Sequence, residues 1–312
     1  MTMTSKKTIL VTGATGNQGS GVIKHCLAAG HNVHALVRDP SSAKSKALET
    51  SGAVLIQGTY DDDIRSLTRA FSGVETVFYV PVNSPKGLHG REFDIQRSRN
   101  VINAARLSGS VKQFIVSTSI RTGQHSKLPG WGEQHPMYDY WLTKHAIEEL
   151  VRSAGFESWT ILRPAHFLQN LCLPVREFIF SGFNKNDKVP VLRTAWKAET
   201  KIAWIDVGDE GRVVVAALAD PDKFHGREID LAVEVLTPFE LAAKIGRVLG
   251  KEVKVHHYTE KEQEELLKAA SPIIAGQRWA NDVSAEMGDV TDAGRDFELT
   301  SVDEFLRNQE QF

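Results

Sequence analysis

The sequence predicts an α/β protein built on a doubly wound parallel sheet, with a smaller mixed α/β lobe. Two observations support this fold class. Short apolar runs alternate with longer helical patterns through the first half of the chain, and a glycine-rich segment follows the first apolar run. Such alternation is typical of a parallel sheet covered by helices. The length of 312 residues, with 41% apolar and 24% charged residues, is ordinary for a globular protein.

The predicted strands are rich in β-branched residues and apolar without alternation, which indicates burial on both faces. They cover residues 8–11, 32–37, 53–57, 76–80, 113–117 and 159–162. The segments between them have helical spacing and ordinary helix lengths. These predicted helices cover residues 19–29, 41–50, 61–71, 90–107 and 140–154.

The regular alternation ends after Pro164, and we expect the chain to leave the first domain and return to it. Strands over 201–207 and 228–232, joined by a helix over 211–219, are expected to complete that domain. The predicted boundaries are 1–168 plus 201–234 for the larger domain and 169–200 plus 235–312 for a smaller substrate or partner lobe.

The smaller lobe contains a strongly marked helix. Thr237 is a typical N-cap, Pro238 occupies the first helical position, Glu240 completes a capping box and Gly250 ends the helix. Further predicted elements of this lobe are a strand over 251–258, a helix that Thr259 caps and that continues through 270, and a helix over 300–308.

Charge and cysteine content exclude several classes of function. The 37 basic and 39 acidic residues give a net charge of −2 without a long basic run, so no nucleic-acid partner is expected. Cys26 and Cys172 show neither disulfide nor zinc spacing, and the histidines lack helical metal-ligand spacing. With no signal peptide and no long apolar segment, we expect a soluble cytoplasmic protein that binds neither metal nor membrane.

The strongest motif is TGATGNQG, at the end of the first predicted strand. Gly13 permits a tight turn, Gly16 lets the backbone approach a pyrophosphate, and Gly19 permits close packing of helix and sheet. The start of the following helix offers unpaired N–H groups to an anion. A strand before the motif and a helix after it predict a Rossmann-type domain that binds NAD(P). The other cofactor contacts expected in this turn are Thr15, Asn17 and Gln18.

Arg38, at the end of the second strand, predicts which dinucleotide binds. An acidic residue there typically binds the ribose 2′-hydroxyl of NAD, whereas a guanidinium suits the 2′-phosphate of NADP. Asp39 leaves NAD as the alternative, because a small backbone shift would present its carboxylate to a ribose. The sequence favours NADP(H).

Five segments resemble the NmrA-like family, atypical members of the short-chain dehydrogenase/reductase superfamily. They are TGATGNQG, ALVRDP at the second strand, GTYDDDIRSL after the third, TILRPAHFLQN at the sixth and AWIDVGDEGRVVVAAL beyond it. The resemblance implies that Val80 and Pro81 lie under the adenosine ribose and phosphates, and that Lys144 reaches the nicotinamide ribose. It also implies that the segment from Pro164 to Phe167 lines the nicotinamide.

The chain departs from the family pattern after its third strand. The family usually has an acid directly after the glycine at this point, whereas Thr59 and Tyr60 follow Gly58 here. Thr59 or Tyr60 is therefore expected to take the place of that acid in contacting adenine.

Tyr140 and Lys144 are candidate catalytic residues. They are four residues apart on a predicted helix and so share one face. An ammonium within about 4–6 Å favours the phenolate, so Lys144 is expected to lower the pKa of Tyr140. The resemblance places this pair at the start of the helix after the fifth strand, and a purely structural Tyr140 is the alternative.

A hydroxyl group at the end of the fifth strand would complete the catalytic group. Strand ends at this edge of an open α/β sheet border the ligand crevice. Ser119 is the preferred candidate and Ser117 the next.

Two functions fit these residues. The first is an NADPH-dependent reductase of an apolar ketone, enone or quinone-like molecule, in which Tyr140 donates the proton, Ser119 orients the oxygen and Lys144 holds the cofactor ribose. The second is a non-catalytic redox sensor that binds NADP(H) and acts through a protein partner. Retention of both Tyr140 and Lys144 favours the reductase. Isomerisation or cyclisation with an unconsumed cofactor is a third possibility.

The substrate is expected to be apolar or aromatic. The loop over 121–139 is long for a compact domain and is a candidate lid. Aromatic and aliphatic residues of the second lobe could form a pocket for a ring-containing molecule, or could simply fill the core of that lobe. They are Leu168, Phe178, Phe183, Trp196 and Trp279.

Overall fold

The computed structural model describes residues 6–82, 90–127, 129–135, 137–268, 272–284, 296–309 and 312. The chain divides into two compact units. Unit 1 comprises Met1–Gly123, Asp139–Pro164 and Val207–Ile229, and unit 2 comprises Gln124–Tyr138, Ala165–Asp206 and Asp230–Phe312.

The strands are β1 (Thr8–Val11), β2 (Asn32–Val37), β3 (Val54–Gln57), β4 (Thr76–Tyr79), β5 (Gln113–Ser117), β6 (Ser158–Pro164), β7 (His166–Phe167), β8 (Val191–Thr194), β9 (Ile202–Ile205), β10 (Arg227–Leu231), β11 (Glu234–Leu236) and β12 (Lys254–His257). The helices are α1 (Asn17–Ala28), α2 (Ala43–Thr50), α3 (Ile64–Ala70), α4 (Gly90–Leu107), α5 (Tyr138–Arg152), α6 (Val175–Ile179), α7 (Glu210–Ala219), α8 (Pro221–Phe224), α9 (Pro238–Leu249), α10 (Glu260–Lys268), α11 (Pro272–Val283) and α12 (Val302–Asn308). Short single turns of 3₁₀-helix complete the described elements.

The main sheet has seven strands in the order β10–β6–β5–β4–β1–β2–β3. Strands β1 to β6 pair in parallel, and β1 lies between β2 and β4, with Leu10 opposite both His34 and Val77. The strand order changes direction at β1, and the carboxyl ends of strands at such a point border the ligand crevice. The predicted doubly wound α/β fold is confirmed.

Burial explains why the sequence predicts the positions of these strands. Every residue of β4 and β5 is buried, so these strands are apolar without alternation. The first five strands begin and end within one residue of their predicted bounds, and β6 extends to Pro164. Helix α3 starts later than predicted because the Asp63 carboxylate caps it, accepting hydrogen bonds from the N–H groups of Arg65 and Ser66.

Unit 2 contains a three-stranded sheet in the order β11–β9–β7 and a two-stranded sheet of β12 and β8. Its α9 has the predicted capping box of Thr237 and Glu240 and ends at Gly250 with φ of 64°. The predicted helix through 270 is described as far as Lys268, and residues 269–270 lie outside the described residues. Across the described ranges, no helix is both long and apolar enough to cross a membrane.

Four segments predicted for the larger domain belong to unit 2: 124–138, 165–168, 201–206 and 230–234. The reason is strand pairing. Strand β9 pairs with β7 and β11 in the smaller sheet, whereas β10 joins the main sheet as predicted.

Three of the five residues proposed for a substrate pocket lie in the core of unit 2. Leu168, Phe183 and Trp196 are buried in one apolar cluster. Phe178 is 75% exposed. For the three buried residues the structure supports the core-filling alternative.

Helix α1 packs against α7 and against the turn before it through glycines. A Cβ at Gly19 would lie 2.4 Å from the Gly13 oxygen, and one at Gly21 would lie 2.8 Å from the Gly208 Cα atom. A Cβ at Gly211 would lie 2.8 Å from the Gly21 oxygen. Since real Cβ atoms do not approach so closely, these contacts require glycine.

Replacement of Gly211 by alanine is expected to destabilise unit 1. The new methyl group meets the Gly21 backbone and the His25 side chain, and such overpacking typically costs about 1–3 kcal/mol. Urea unfolding would measure the loss. Gly276→Ala is the matched control in α11, because no described atom lies within 4 Å of the added Cβ and alanine favours a helix by about 0.5–1 kcal/mol. An effect of Gly211→Ala that is stabilising, like the effect expected of Gly276→Ala, or that is negligible would contradict the packing argument.

Candidate active site

The glycine-rich turn joins β1 to α1. Gly13 has φ of 58°, and the Gly16 N–H donates a hydrogen bond of 2.9 Å to the Gly13 oxygen. Gly16 is the N-cap of α1 and contributes no side-chain cap. Thr15 is partly buried and Asn17 is exposed. The first turn of α1 therefore presents backbone N–H groups that suit an anion.

The end of β4 lies directly against this turn. A Cβ at Gly13 would lie 3.2 Å from the Val80 Cβ atom. The Val80 N–H donates to Thr12 Oγ1 at 2.8 Å, and the Tyr60 hydroxyl donates to the Val80 oxygen at 2.9 Å. Pro81 follows and is buried. Both polar groups of the Val80 backbone are thus fixed by side chains, from Thr12 just after β1 and from Tyr60 in the turn after β3.

At the end of β2, Arg38 and Asp39 are both exposed. The Asp39 carboxylate accepts hydrogen bonds from the Ser41 hydroxyl (2.6 Å) and the Ser41 N–H (2.8 Å), which lower its pKa. Among the residues that the structure describes, none pairs with the Arg38 guanidinium. The Asp39 carboxylate is therefore hydrogen-bonded within its own turn, while the Arg38 guanidinium is available to a ligand.

After β3, Thr59 and Tyr60 have different roles in the structure. Tyr60 is buried, its ring packs edge-on against Tyr79 with centroids 5.5 Å apart, and burial raises its pKa to about 12. Thr59 donates its hydroxyl to Asp62 Oδ1 at 2.7 Å and its N–H to Asp62 Oδ2 at 2.9 Å. Asp62 is thus the acid that organises this turn. Sequence reasoning missed it, although a threonine three residues before an aspartate is a signal for such a turn.

Helix α5 brings Tyr140 and Lys144 together with Ser119. The Tyr140 phenol lies within interaction range of the Ser119 side chain, just beyond β5. Lys144 Nζ lies 5.7 Å from the centroid of the Tyr140 ring. Lys144 is buried, whereas Tyr140 and Ser119 are partly exposed. This is the group of three side chains expected from the sequence, with Ser119 rather than Ser117 at the tyrosine.

The expected lowering of the Tyr140 pKa is not found. Burial raises the pKa of Tyr140, and the hydrogen bond with Ser119 opposes that shift. Burial also lowers the pKa of Lys144 to about 8. Three buried carboxylates act against this lowering: Asp94, Glu148 and Glu210. The phenol therefore remains protonated at neutral pH, as a proton donor must be.

A second polar cluster lies at the base of the glycine-rich turn, and sequence reasoning missed its central residue. Gln18 Nε2 donates to Ser117 Oγ at 2.6 Å and to Glu210 Oε1 at 3.3 Å. Ser117 Oγ donates to Glu210 Oε1 at 2.7 Å. Glu210 has no exposed surface, and burial raises its pKa to about 7. Ser117 is thus engaged by Glu210.

The far end of α5 is anchored by ion pairs. Glu148 is fully buried, and its Oε2 lies 2.6 Å from Arg163 Nη2 and 2.8 Å from Arg152 Nη2. Thr118 Oγ1 donates to the same carboxylate at 2.7 Å. Tyr140, Lys144, Glu148 and Arg152 thus form a column along α5, in which each residue lies four positions after the one before it.

The remaining predicted site residues fall in separate units. Pro164 ends β6 in unit 1, and Phe167 lies on β7 in unit 2, where it is partly buried. Most of the predicted lid belongs to unit 2, where the Trp131 ring contacts His125 and Tyr138 with centroids 4.8 and 5.2 Å apart. Positions 128 and 136 of the lid lie outside the described residues. Within the described ranges, no group of three or more side chains could hold a metal ion.

The sequence model of the NmrA-like family matches residues 5–306. The chain belongs to the NmrA-like family. This confirms the resemblance drawn from the five sequence segments and places the turn, α5 and the Glu210 region within one family domain.

Two NmrA-like relatives illustrate the range of the similarity. The NmrA-like family domain-containing oxidoreductase ptmS of Penicillium ochrochloron is 31% identical over 273 residues, covering 81% of this chain and 76% of the relative. The NAD(P)H azoreductase of Xenophilus azovorans is 29% identical over 246 residues, covering 79% and 75%.

Solved structures share the fold. NmrA, a negative transcriptional regulator, in complex with NADP, has a TM-score of 0.75 at 22% identity and covers 97% of this chain and 95% of its own. The Citrobacter sp. triphenylmethane reductase complexed with NADP(H) has a TM-score of 0.76 at 20% identity, with coverage of 96% and 99%.

The buried Lys144 makes stability depend on pH in the alkaline range. Its folded pKa of about 8 lies below the ordinary lysine value of 10.5, so between these values the unfolded chain binds more protons and stability rises with pH. Relative to Lys144→Met, the free energy of unfolding of the unmodified protein should rise by up to about 1.4 kcal/mol per pH unit. Denaturant unfolding between pH 7 and 10.5 measures this difference. The corresponding difference between the unmodified protein and Lys24→Met, at an exposed position of α1, should not change with pH. Equal slopes in the two comparisons would refute the assignment.

Proposed function

We propose that this protein is an NADPH-dependent reductase of an apolar carbonyl, enone or quinone-like small molecule. The observation that carries the proposal is the proximity of three side chains: Lys144 Nζ lies 5.7 Å from the centroid of the Tyr140 ring, and the Ser119 side chain interacts with the phenol. Similar proteins named as oxidoreductases and as an NAD(P)H azoreductase support an NAD(P)-dependent oxidoreductase. An azoreductase and a triphenylmethane reductase among them also favour a ring-containing substrate.

The residues of unit 1 fit the proposed cofactor. The tight turn at Gly13, with its positive φ, and the backbone N–H groups at the start of α1 suit a pyrophosphate. Thr15, Asn17 and Gln18 complete this turn. The remaining proposed contacts are Arg38 with the 2′-phosphate, Thr59 near the adenine, Val80 and Pro81 beneath the adenosine, and Lys144 at the nicotinamide ribose. Pro164, at the end of β6, would lie beside the nicotinamide.

The choice of NADP over NAD rests on the end of β2. The Asp39 carboxylate is oriented within its own turn, because its Oδ1 accepts both hydrogen bonds from Ser41. The exposed Arg38 guanidinium offers a bidentate, always-charged partner to a phosphate dianion. Solved structures of the same fold hold NADP(H) and also NAD, so the choice of NADP depends on Arg38.

When bound, NADPH supplies a hydride to the carbon of the substrate double bond. The Tyr140 hydroxyl gives its proton to the oxygen on which the electron pair of that bond collects, and Ser119 orients this oxygen through a hydrogen bond. Because burial keeps the phenol protonated, Tyr140 acts as the acid. Lys144 and Ser119 then stabilise the phenolate that remains.

Replacement of Arg38 by aspartate is expected to weaken NADPH far more than NADH. Loss of the charge-assisted hydrogen bonds, about 1.5–3 kcal/mol, raises the Kd for NADPH by about 10- to 100-fold. Fluorescence titration with both cofactors measures this. Arg106→Asp, at an exposed arginine in the last turn of α4, is the charge-matched control. Equal losses for NADPH and NADH in Arg38→Asp would rule out a 2′-phosphate contact.

Replacement of Tyr140 by phenylalanine should lower kcat by about 10²- to 10⁴-fold while the Kd for NADPH hardly changes. NADPH consumption against aromatic ketones, enones and quinones provides the assay. Tyr138→Phe removes a neighbouring phenol and should keep full turnover. Undiminished turnover in Tyr140→Phe would move the chemistry elsewhere, and NADPH binding without any turnover by the unmodified protein would favour a redox-sensing regulator.

A further inference from the structure

Glu210 is a buried acid that the proposed chemistry does not use. Its Oε1 accepts hydrogen bonds from Ser117 and from Gln18, a residue in the first turn of α1. Its Oε2 is buried and has no hydrogen-bond partner among the described residues. A carboxyl group with one oxygen satisfied and the other left without a donor is poorly stabilised as an anion.

The side chains that contact Glu210 from the glycine-rich turn and from β5 carry no charge. Gln18 and Ser117 are uncharged, so α1 and β5 contribute only dipoles to the carboxyl group. Charged or titratable groups on the elements packed around it are Lys144 from α5, His25 beside Gly211 from α1, and the Asp209–Arg212 pair from α7. Lys144 is itself shared with Asp94 on α4 and Glu148 on α5.

We propose that Glu210 is a positioning residue of the cofactor site, whose neutral form favours binding of the dinucleotide phosphates at the glycine-rich turn and whose ionised form opposes it. The inference rests on the proposed function, because it takes NADP(H) as the ligand of that turn. Gln18 connects the two sites directly, since its amide nitrogen is held by Glu210 and Ser117. Gln18 is also one of the residues from which the first turn of α1 is built.

The sign of the effect follows from charge. An ionised carboxylate behind the start of α1 offsets the partial positive charge that the helix offers to a phosphate. It also shares Lys144, which is the proposed ribose contact. Burial raises the pKa of Glu210 to about 7, so the carboxyl group changes charge in the range where the protein is assayed. Binding of the anionic cofactor should therefore be accompanied by proton uptake.

The test compares the Kd for NADPH of the unmodified protein and of Glu210→Gln between pH 6 and 8.5. The glutamine keeps an oxygen acceptor for Ser117 and Gln18 but cannot ionise. Titration of the phosphates of the cofactor is common to both proteins and cancels in the ratio of the two Kd values. The ratio of unmodified to variant Kd should be about 1 at pH 6 and rise at least about threefold by pH 8.5 as Glu210 ionises, with an upper limit of about tenfold per pH unit.

Calorimetry in two buffers of different ionisation enthalpy gives an independent readout. At pH 7.5 the unmodified protein should take up more protons on binding NADPH than Glu210→Gln does. Glu210→Asp retains a carboxyl group and should retain the pH dependence. Glu157→Gln, at an exposed acid of unit 1, should behave like the unmodified protein.

The outcomes separate this inference from the proposed function. A ratio that is constant with pH, whether near 1 or uniformly shifted, would assign Glu210 a purely structural role and overturn the inference, with cofactor binding intact. Equal proton uptake by the two proteins would overturn it as well. Failure of the unmodified protein to bind NADPH at any pH would instead refute the proposed function, and the inference with it.

Discussion

The contact of backbone with backbone around α1 is the constraint on which the site depends. Gly19 lies against the Gly13 carbonyl, and Gly21 lies against Gly208, at distances that leave no room for a side chain. This approach brings the start of α1 to the crevice beside β4 and lets Gln18 reach Ser117 and Glu210. A dinucleotide site here therefore depends on the lack of side chains at these glycines as much as on its polar groups.

Much of the fold could be predicted because its signals are local. Strands β1, β4 and β5 are nearly continuous apolar runs, as is typical of a parallel sheet covered on both faces, and the capping box at Thr237 marks the start of a helix within four residues. Membership of a sheet is different, because it depends on partners far apart in the chain. The strand Ile202–Ile205 looks like any other in sequence, yet it pairs with β7 and β11 in unit 2.

The same division holds for the site. The spacing of Tyr140 and Lys144 on one helix face is a local property, and the position of α5 after β5 put Ser119 within reach. Glu210 was missed because an acid in the first turn of a helix is usually exposed and favourable there. Its burial arises from the packing of α7 on α1, which one sequence does not display. The wrong direction for the Tyr140 pKa has the same origin, since burial of the phenol raises its pKa.

The column of residues along α5 has a consequence for how this helix can vary. The proposed chemistry lies near its start at Tyr140 and Lys144, and its anchorage lies near its end, where Glu148 meets Arg152 and Arg163. Each α-helical residue turns the chain by about 100°. Loss or gain of one residue between Lys144 and Glu148 would rotate one pair out of line with the other, whereas substitutions on the outer face would leave both in place. During evolution, α5 can therefore accept substitutions on its outer face, but not the insertion or deletion of a residue between Lys144 and Glu148.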